Sequence, residues 1–430
     1  MRRLRLLASL WCLLTAACGP DDFDQPGSID NRAYASLFPY FAEFCALSQI
    51  KQKQGMGAES LGGIGGHAVF YLNGACRAAE AGQTTIQLCD EPGAEPSDGV
   101  GISMNAHFRF AKWVATPGRD FFLHGNLALG APLTRADYDA VQAEARRLGI
   151  YDGVEFHASV FDDMPAGTTR EIWKYEVSVG TDYGISLGRG RFCARLPVNR
   201  EQLAAMIAYL NAQNAPYRAR EREFEWKLVQ DNCIHLAHNA LAAAGVWTKW
   251  PTDQPLLLAV FDFPVPLNEF VALMRRTDDA GLLDLRTLRA DTPASTALIE
   301  FDQLPLRPGA IMESRPPQSP NALYDTDVKL IFYDDPNLGR YPRWFQMIRE
   351  DPARFDLHAN LRRVLEQYRS AIAARRSLSP PEVRQRGGVG AGEQSAAFTE
   401  TEKRLYRLLE ARADWIETQL ADITMSTPRR

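Results

Sequence analysis

Cys233 is the residue whose type and position most directly suggest chemistry. It stands in QDNCIHLAHNALAAAG, residues 230–245, at the head of an apolar helical pattern. Asp231 or Asn232 is a good N-cap, which would place Cys233 in the first helical turn, where unpaired amides and the macrodipole favour a thiolate. A thiolate attacks amide and ester carbonyls, and the amide of Cys233 would form half of an oxyanion hole. The alternative is a buried core cysteine, because Cys233 shares its helical stripe with alanines.

The two histidines that follow Cys233 are poorly placed to activate it. His235 lies about 200° around the helix from Cys233, so the two side chains cannot easily share a proton. A zinc site made of Cys233, His235 and His238 is disfavoured, because ligands at this spacing on one helix splay apart. We therefore expect no metal and no cofactor, and a base from elsewhere. His67 is preferred, since it begins a β-rich stretch after the glycines of GGIGGHAVFYLNG.

These motifs resemble those of the circularly permuted papain-like enzymes, which include lecithin:retinol acyltransferase and the Lnb-type lipoprotein N-acyltransferases. The shared pattern is a Gly-His at a strand start, a polar residue on the next strand and a distant Asn-Cys-x-His helix, over about residues 60–247. The resemblance implies Cys233 as nucleophile and His67 as base. It also implies that Gln87 in TTIQLC orients His67, where the relatives carry histidine. Competing supporting residues are His107, His124 and Asp182.

The N-terminus predicts export to a bacterial envelope. MRRLRLLASLWCLLTAACGPDD combines a basic start, an apolar stretch over 6–17 and small residues before Cys18. LTAAC resembles a lipobox, whose cysteine is lipidated and becomes the new N-terminus; a plain signal peptide is the alternative. About 12 apolar residues are too few to span a bilayer. Gly19 resembles an outer-membrane sorting signal, so we expect a lipid anchor facing the periplasm, with residues 1–18 as signal peptide and 19–33 as tether.

Cysteine parity carries information in an oxidising compartment. Of seven cysteines, Cys12 would leave with the signal peptide and Cys18 would take the lipid, so five remain. Four of them can form two disulfides with three possible connectivities. Cys233 is then expected to stay free. The four disulfide candidates are Cys45, Cys76, Cys89 and Cys193, and Cys76 with Cys89 is the most local pair.

The elements that must position these residues predict an α+β fold. Thr134 with Asp137, and Asn199 with Gln202, have the spacing of helix capping boxes. Two further segments are expected to be a helix over 35–50 and two antiparallel strands over 169–198. We expect a permuted papain-like domain over 34–250, with an antiparallel sheet packed on helices, then an irregular extension with a short helix and strand over 251–350. A helical hairpin over 351–430, with a flexible loop at 378–396, would follow.

Composition and charge exclude some partners. The chain has 430 residues, of which 46% are hydrophobic and 23% charged, enough for one large globular domain with appendages. Loss of the three arginines at the start would change the net charge from −5 to −8, so no nucleic-acid partner is expected.

The sequence therefore predicts a membrane-anchored, thiol-dependent hydrolase or acyltransferase acting on lipid, lipoprotein or peptidoglycan bonds. The alternative is a non-catalytic envelope scaffold lipoprotein, whose C-terminal helices would dock a protein partner.

Overall fold

The fold mixes α-helices with antiparallel β-strands, as the sequence predicts. The computed structural model describes residues 29–49, 51, 53, 66–78, 82–91, 99–178, 187–255, 264–325, 330–333, 339–389 and 396–426. The predicted signal peptide, the lipidation site Cys18, most of the tether and Asp182 lie outside the described residues. In the described part of the chain, no helix combines the length and apolar character needed to cross a membrane.

Eight strands within the described residues form two antiparallel sheets. They are β1 (Phe41–Leu47), β2 (His67–Asn73), β3 (Ala75–Arg77), β4 (Ile86–Leu88), β5 (Val100–Ser103), β6 (Val114–Pro117), β7 (Arg191–Pro197) and β8 (Ile311–Arg315). The main sheet has the order β6-β5-β2-β1-β7-β8, and β3 pairs with β4 in a separate ribbon. Strands β1 and β2 pair along their whole length, from Phe41 opposite Asn73 to Leu47 opposite His67.

Thirteen α-helices of the described chain accompany the sheets. They are α1 (Asn31–Leu37), α2 (Arg119–His124), α3 (Arg135–Arg147), α4 (Arg170–Ser178), α5 (Arg200–Arg218), α6 (Cys233–Ala243), α7 (Pro266–Arg276), α8 (Leu285–Ala290), α9 (Thr292–Phe301), α10 (Arg340–Glu350), α11 (Leu357–Arg376), α12 (Pro380–Arg386) and α13 (Ala396–Ser426). The predicted capping boxes Thr134–Asp137 and Asn199–Gln202 begin α3 and α5.

The main sheet separates two cores. On one side, Phe44 and Phe70 belong to the core that includes residues of α5, α6 and α7. On the other side, Val69 shares a core with Leu361 of α11 and Leu405 of α13. The C-terminal helices therefore cover one face of the sheet, and both faces of its central strands are buried.

Two segments have a different secondary structure from the one their sequences predict. Residues 41–47, expected to be helical, form β1, and all seven of its side chains are buried. A strand buried on both faces shows no alternation, so its apolar pattern is easily mistaken for that of a helix. Residues 170–178, expected to be a strand, form α4, in which Trp173 and Tyr175 are buried. Tertiary packing here outweighs the strand propensity of these aromatic residues.

The two disulfides use the four predicted cysteines. Cys45 of β1 is bonded to Cys193, which lies directly opposite it on β7. Cys76 is bonded to Cys89, which closes the β3–β4 ribbon. Among the described cysteines, Cys233 is the free one. The structure thereby selects one of the three connectivities and leaves the predicted thiol unbonded.

Residues 251–350 are more regular than the predicted extension. Their described part contains helices α7 to α10, and β8 is an edge strand of the main sheet, paired with β7. The predicted flexible loop at 378–396 is also partly wrong, because residues 380–386 form α12. A capping box between Ser379 and Glu382 starts this helix, and the side chain of Val383 within it is buried.

Candidate active site

Cys233 is the first residue of α6, as the sequence predicts. The side chain of Asn232 is the N-cap and accepts hydrogen bonds from the amides of Ile234 (2.9 Å) and His235 (3.2 Å). Asn232 also donates to the carbonyl of Leu228 at 2.7 Å, which fixes the turn before the helix. The cap satisfies two amides of the first turn and holds the backbone at Cys233 in one conformation.

Backbone amides surround the sulfur of Cys233. The amides of Ala68, Cys233 and Ile234 all interact with the thiol and favour its charged form. The Ala68 amide can reach the sulfur because β5 pairs with β2 only from Phe70 onward, which leaves this edge of β2 open. N–H groups arranged in this way stabilise negative charge on sulfur, and similar groups stabilise the oxyanion of an acyl intermediate.

Burial nevertheless dominates the ionisation of the thiol. Loss of hydration raises the pKa of Cys233 to about 11, against the smaller opposing effects of the three amides and of Arg189. The amides at the helix N-terminus favour the thiolate, as expected from the sequence, but burial outweighs them in the resting protein. At neutral pH the residue is a thiol, so attack on a carbonyl requires a partner that removes its proton.

Arg189 is a site residue that the sequence analysis missed. Its guanidinium is buried and interacts electrostatically with Cys233, and its Nε donates to the carbonyl of Ser48 at 2.8 Å. Burial lowers the pKa of Arg189 to about 10, which leaves it a cation at neutral pH. The available signal was the repeat GRGR over 188–191, in which Arg189 and Arg191 are both buried immediately before or at the start of β7.

His67 is the first residue of β2. It directly precedes Ala68, whose amide contacts the sulfur. The register pairs His67 with Leu47 and Val69 with Cys45, so the pleat places His67 on their face of the sheet, opposite Ala68. His67 is half-buried, and its Nε2 is shielded from solvent. Residues of α6 pack with Ala68 and Phe70 on the opposite face, so the register places the His67 side chain and Cys233 on different faces of β2.

Gln87 is not brought to this site, so its proposed role as the residue that orients His67 is wrong. It is exposed on β4 and lies opposite Cys76 in the ribbon. The ribbon continues from the end of β2 that is remote from His67, because β3 begins just after Gly74. The TTIQLC strand exists, but it pairs with the continuation of β2 and not alongside His67.

The competing histidines also have other surroundings. Burial lowers the pKa of His107 to about 4, with a smaller contribution from His157. His124 contacts Asp120 one turn earlier on α2, at 3.5 Å. Neither has a contact with Cys233 among those described.

The two histidines of α6 contribute to its packing. His238 has Glu269 Oε1 and the Thr248 carbonyl within 2.9 Å of its two ring nitrogens. Its ring stacks on Trp247 and Trp250, with centroid separations of 4.4 and 3.7 Å.

His235 closes the capping box through Nδ1, which accepts a hydrogen bond from the backbone amide of Asn232 at 3.5 Å. Burial lowers the pKa of His235 to about 4.

One cluster in the described residues has the spacing of metal ligands, and its atoms are already committed. It consists of Glu43, Cys45 and Cys193. The two sulfurs are bonded to each other, and Arg119 makes a bidentate pair with the carboxylate of Glu43 at 2.7 and 2.8 Å. The cluster therefore belongs to a buried ionic network beside a disulfide.

Comparisons of the chain with protein-family models, curated proteins and solved structures found no match. The function therefore has to be inferred from the geometry around Cys233.

Proposed function

We propose that this protein is a thiol-dependent hydrolase or acyltransferase of the bacterial envelope, with Cys233 as its nucleophile. The observation that carries the proposal is the set of three backbone amides, from Ala68, Cys233 and Ile234, which surround one free sulfur at the head of a helix. This arrangement suits the stabilisation of charge that develops in acyl transfer. Arg189 adds a buried positive charge to the same site.

The proposed reaction starts with transfer of the thiol proton from Cys233 to His67. With a pKa of about 11, only about one thiol in ten thousand is ionised at pH 7, so this transfer accompanies attack. The sulfur forms a bond to the carbonyl carbon, and the amides stabilise the resulting oxyanion. The bond to the leaving amine or alcohol then breaks, and the leaving group takes the proton from His67.

Release of the acyl group uses the same proton transfers through His67 in the reverse order. Water, or the amine or hydroxyl of an acceptor, gives its proton to His67 and attacks the thioester. The new bond forms at the carbonyl carbon, and the thiol is regenerated when the C–S bond breaks and His67 returns the proton. Water makes the protein a hydrolase, and a lipid or protein acceptor makes it an acyltransferase.

We propose a circularly permuted papain-like domain as the framework of this site. His67 begins a central strand, and Cys233 begins a helix that packs against the same strand far downstream. In this proposal α11 and α13 form the C-terminal hairpin, and the predicted lipid on Cys18 holds the domain at the membrane. Lipid esters, lipoproteins and peptidoglycan peptides would then be the accessible substrates.

Trapping of an acyl-enzyme tests the proposal. The folded protein is incubated with p-nitrophenyl butyrate at pH 7.5 and examined by intact-mass spectrometry, with peptide mapping of the adduct. One butyryl group is expected on Cys233, none on Cys233→Ala, and a rate reduced at least about a hundredfold in His67→Gln. His358→Gln on α11 is the matched control and should acylate like the wild type. Acylation that persists in Cys233→Ala would contradict the assignment.

A non-catalytic envelope scaffold is the second candidate, and the raised pKa of the half-buried Cys233 thiol is the observation that favours it. In that case Cys233 is a packing residue against the core formed by the sheet and α6. The wild-type protein would then form no butyryl adduct, while Cys233→Ala would lower the free energy of unfolding. The same two measurements therefore separate the two functions.

A further inference from the structure

A cleft of about 720 Å³ lies near the C-terminal end of α6 and away from Cys233. Helices α7 and α10 form its walls, and Trp247, two residues after the turn that ends α6, lines it. The volume is typical of sites that bind small molecules. Trp247, Trp344 and Met347 provide an apolar and aromatic lining, so the cleft can accommodate a ligand with a hydrophobic body.

Two arginines of the cleft are held against an aromatic ring. The guanidinium carbon of Arg275 lies 3.4 Å from the ring centroid of Trp344, and that of Arg340 lies 5.4 Å from it. Stacking restricts a guanidinium while its N–H groups, which lie in its plane, can still donate. Across the described ranges, neither arginine has a carboxylate within ion-pair distance.

Most of the other charges of the cleft are paired within the protein. Arg276 makes two hydrogen bonds to Asp291, at 2.6 and 2.9 Å. Arg354 binds Asp278 and Asp351. Asp279 also lines the cleft, 4.0 Å from Arg276, so a ligand would meet one carboxylate and the two positive charges of Arg275 and Arg340 beside an aromatic surface.

We propose that this cleft binds a phosphate ester with an apolar or aromatic body. A phosphate group has enough oxygens to accept hydrogen bonds from two guanidinium groups at once, and arginine matches its geometry. The first turn of α10 also favours the binding of a phosphate group. Gly339 provides no side-chain cap, the turn has no acidic residue, and Arg340 and Tyr341 both line the cleft. A phosphate here would offset the repulsion between Arg340 and the helix dipole.

Two sources of this chemistry are possible, a soluble phosphate ester and an anionic lipid headgroup. Isothermal titration calorimetry of the full folded chain with phenyl phosphate, and with dihexanoylphosphatidylglycerol below its micelle concentration, distinguishes them. Inorganic phosphate serves as the third probe, because it lacks the body that the aromatic wall would contact. At least one of the two esters should bind more tightly than inorganic phosphate, and the ester that does so identifies the source.

Arginine variants test the site itself. Arg275→Gln and Arg340→Gln should each weaken ester binding about tenfold, and the double variant about a hundredfold, through loss of charge-assisted hydrogen bonds. Arg343→Gln is the matched control, since Arg343 lies on the same helix, is exposed and does not line the cleft. The proposal would be overturned if the double variant bound the ester as tightly as the wild type. It would also be overturned if neither ester bound with a Kd below about 10 mM, a value weaker than that of typical ligand sites.

Discussion

The backbone amide of Ala68 contacts the sulfur of Cys233, so the start of β2 and the head of α6 meet at one point. This contact joins two motifs that are far apart in the chain, and it places the backbone of His67 beside the free thiol. The Cys233 side chain is half-buried there, and its limited hydration raises the pKa of the thiol. The chemistry of Cys233 therefore depends on two opposing effects, burial and the amides that face it.

The pH dependence of Cys233 alkylation follows from its pKa of about 11. Below this pH the residue is a thiol, so the rate of reaction with iodoacetamide should rise about tenfold per pH unit between pH 7 and 9.5. The rate is measured by intact mass, with free cysteine as the reference, whose alkylation levels off near its lower pKa. A plateau already below pH 8.5 would contradict the dominance of burial and indicate a thiolate paired with a cation.

The helix cap at Asn232 should affect the free energy of unfolding and the Cys233 thiol at the start of the helix. Asn232→Ala removes the side-chain acceptor for the amides of Ile234 and His235, and should lower the free energy of unfolding by about 1 kcal/mol. Asn232→Asp keeps an acceptor and should cost less. Urea denaturation measures the difference, and equal losses in the two variants would show that the cap is not the cause.

The two disulfides should contribute unequally to stability. Cys45 and Cys193 are 148 residues apart, whereas Cys76 and Cys89 are 13 apart. Constraint of the unfolded chain predicts losses of about 5 and about 3 kcal/mol, respectively, when each pair is replaced by alanine. Guanidinium denaturation of the two double variants gives the comparison. The opposite order would show that packing at the bridges, and not loop length, determines their effect.

The buried carboxylate of Glu43 should be important for folding. It pairs with Arg119 and Arg195 inside the protein. Glu43→Gln would leave buried Arg195 without its ion-pair partner and Arg119 with only Glu313 and Asp120, at a cost of about 3–5 kcal/mol. Glu410→Gln is the control, because the ion pair of Glu410 with Arg376 is exposed and worth less than about 1 kcal/mol. Thermal unfolding of both variants tests the contrast, and similar losses would contradict it.

Acid should destabilise the wild type through the same network. The guanidinium groups of Arg119 and Arg195 outweigh burial and lower the pKa of Glu43 below the usual value of 4.5. A carboxylate whose pKa is lower in the folded than in the unfolded state stabilises the protein at pH values above its unfolded-state pKa. This stabilisation is lost as the pH falls through the folded-state pKa. The free energy of unfolding should therefore decrease below about pH 4.5 in the wild type and less steeply in Glu43→Gln. Parallel pH profiles of the two proteins would contradict this origin.

Local signals predicted the parts of the site that depend on neighbouring residues. Asn232 before Cys233 indicated a capped helix start, and the structure places Cys233 as the first residue of α6. The odd number of cysteines indicated two disulfides and one free thiol, and the structure agrees. The assignment of Gln87 was wrong because the TTIQLC strand pairs with β3 beyond Gly74, and strand pairing is not encoded by spacing.

The sequence alone predicted the α+β class, the start of α6 and which four cysteines form disulfides. Helix caps depend on neighbouring residues and cysteine parity can be counted, so neither prediction needs the tertiary structure. Tertiary structure decided the rest. It half-buried the thiol and raised its pKa, brought Arg189 and the Ala68 amide to the sulfur, and placed Arg275 and Arg340 on Trp344. Desolvation and contacts between distant segments exist only once the sheet and its two helical layers have assembled, so no reading of neighbouring residues could have supplied them.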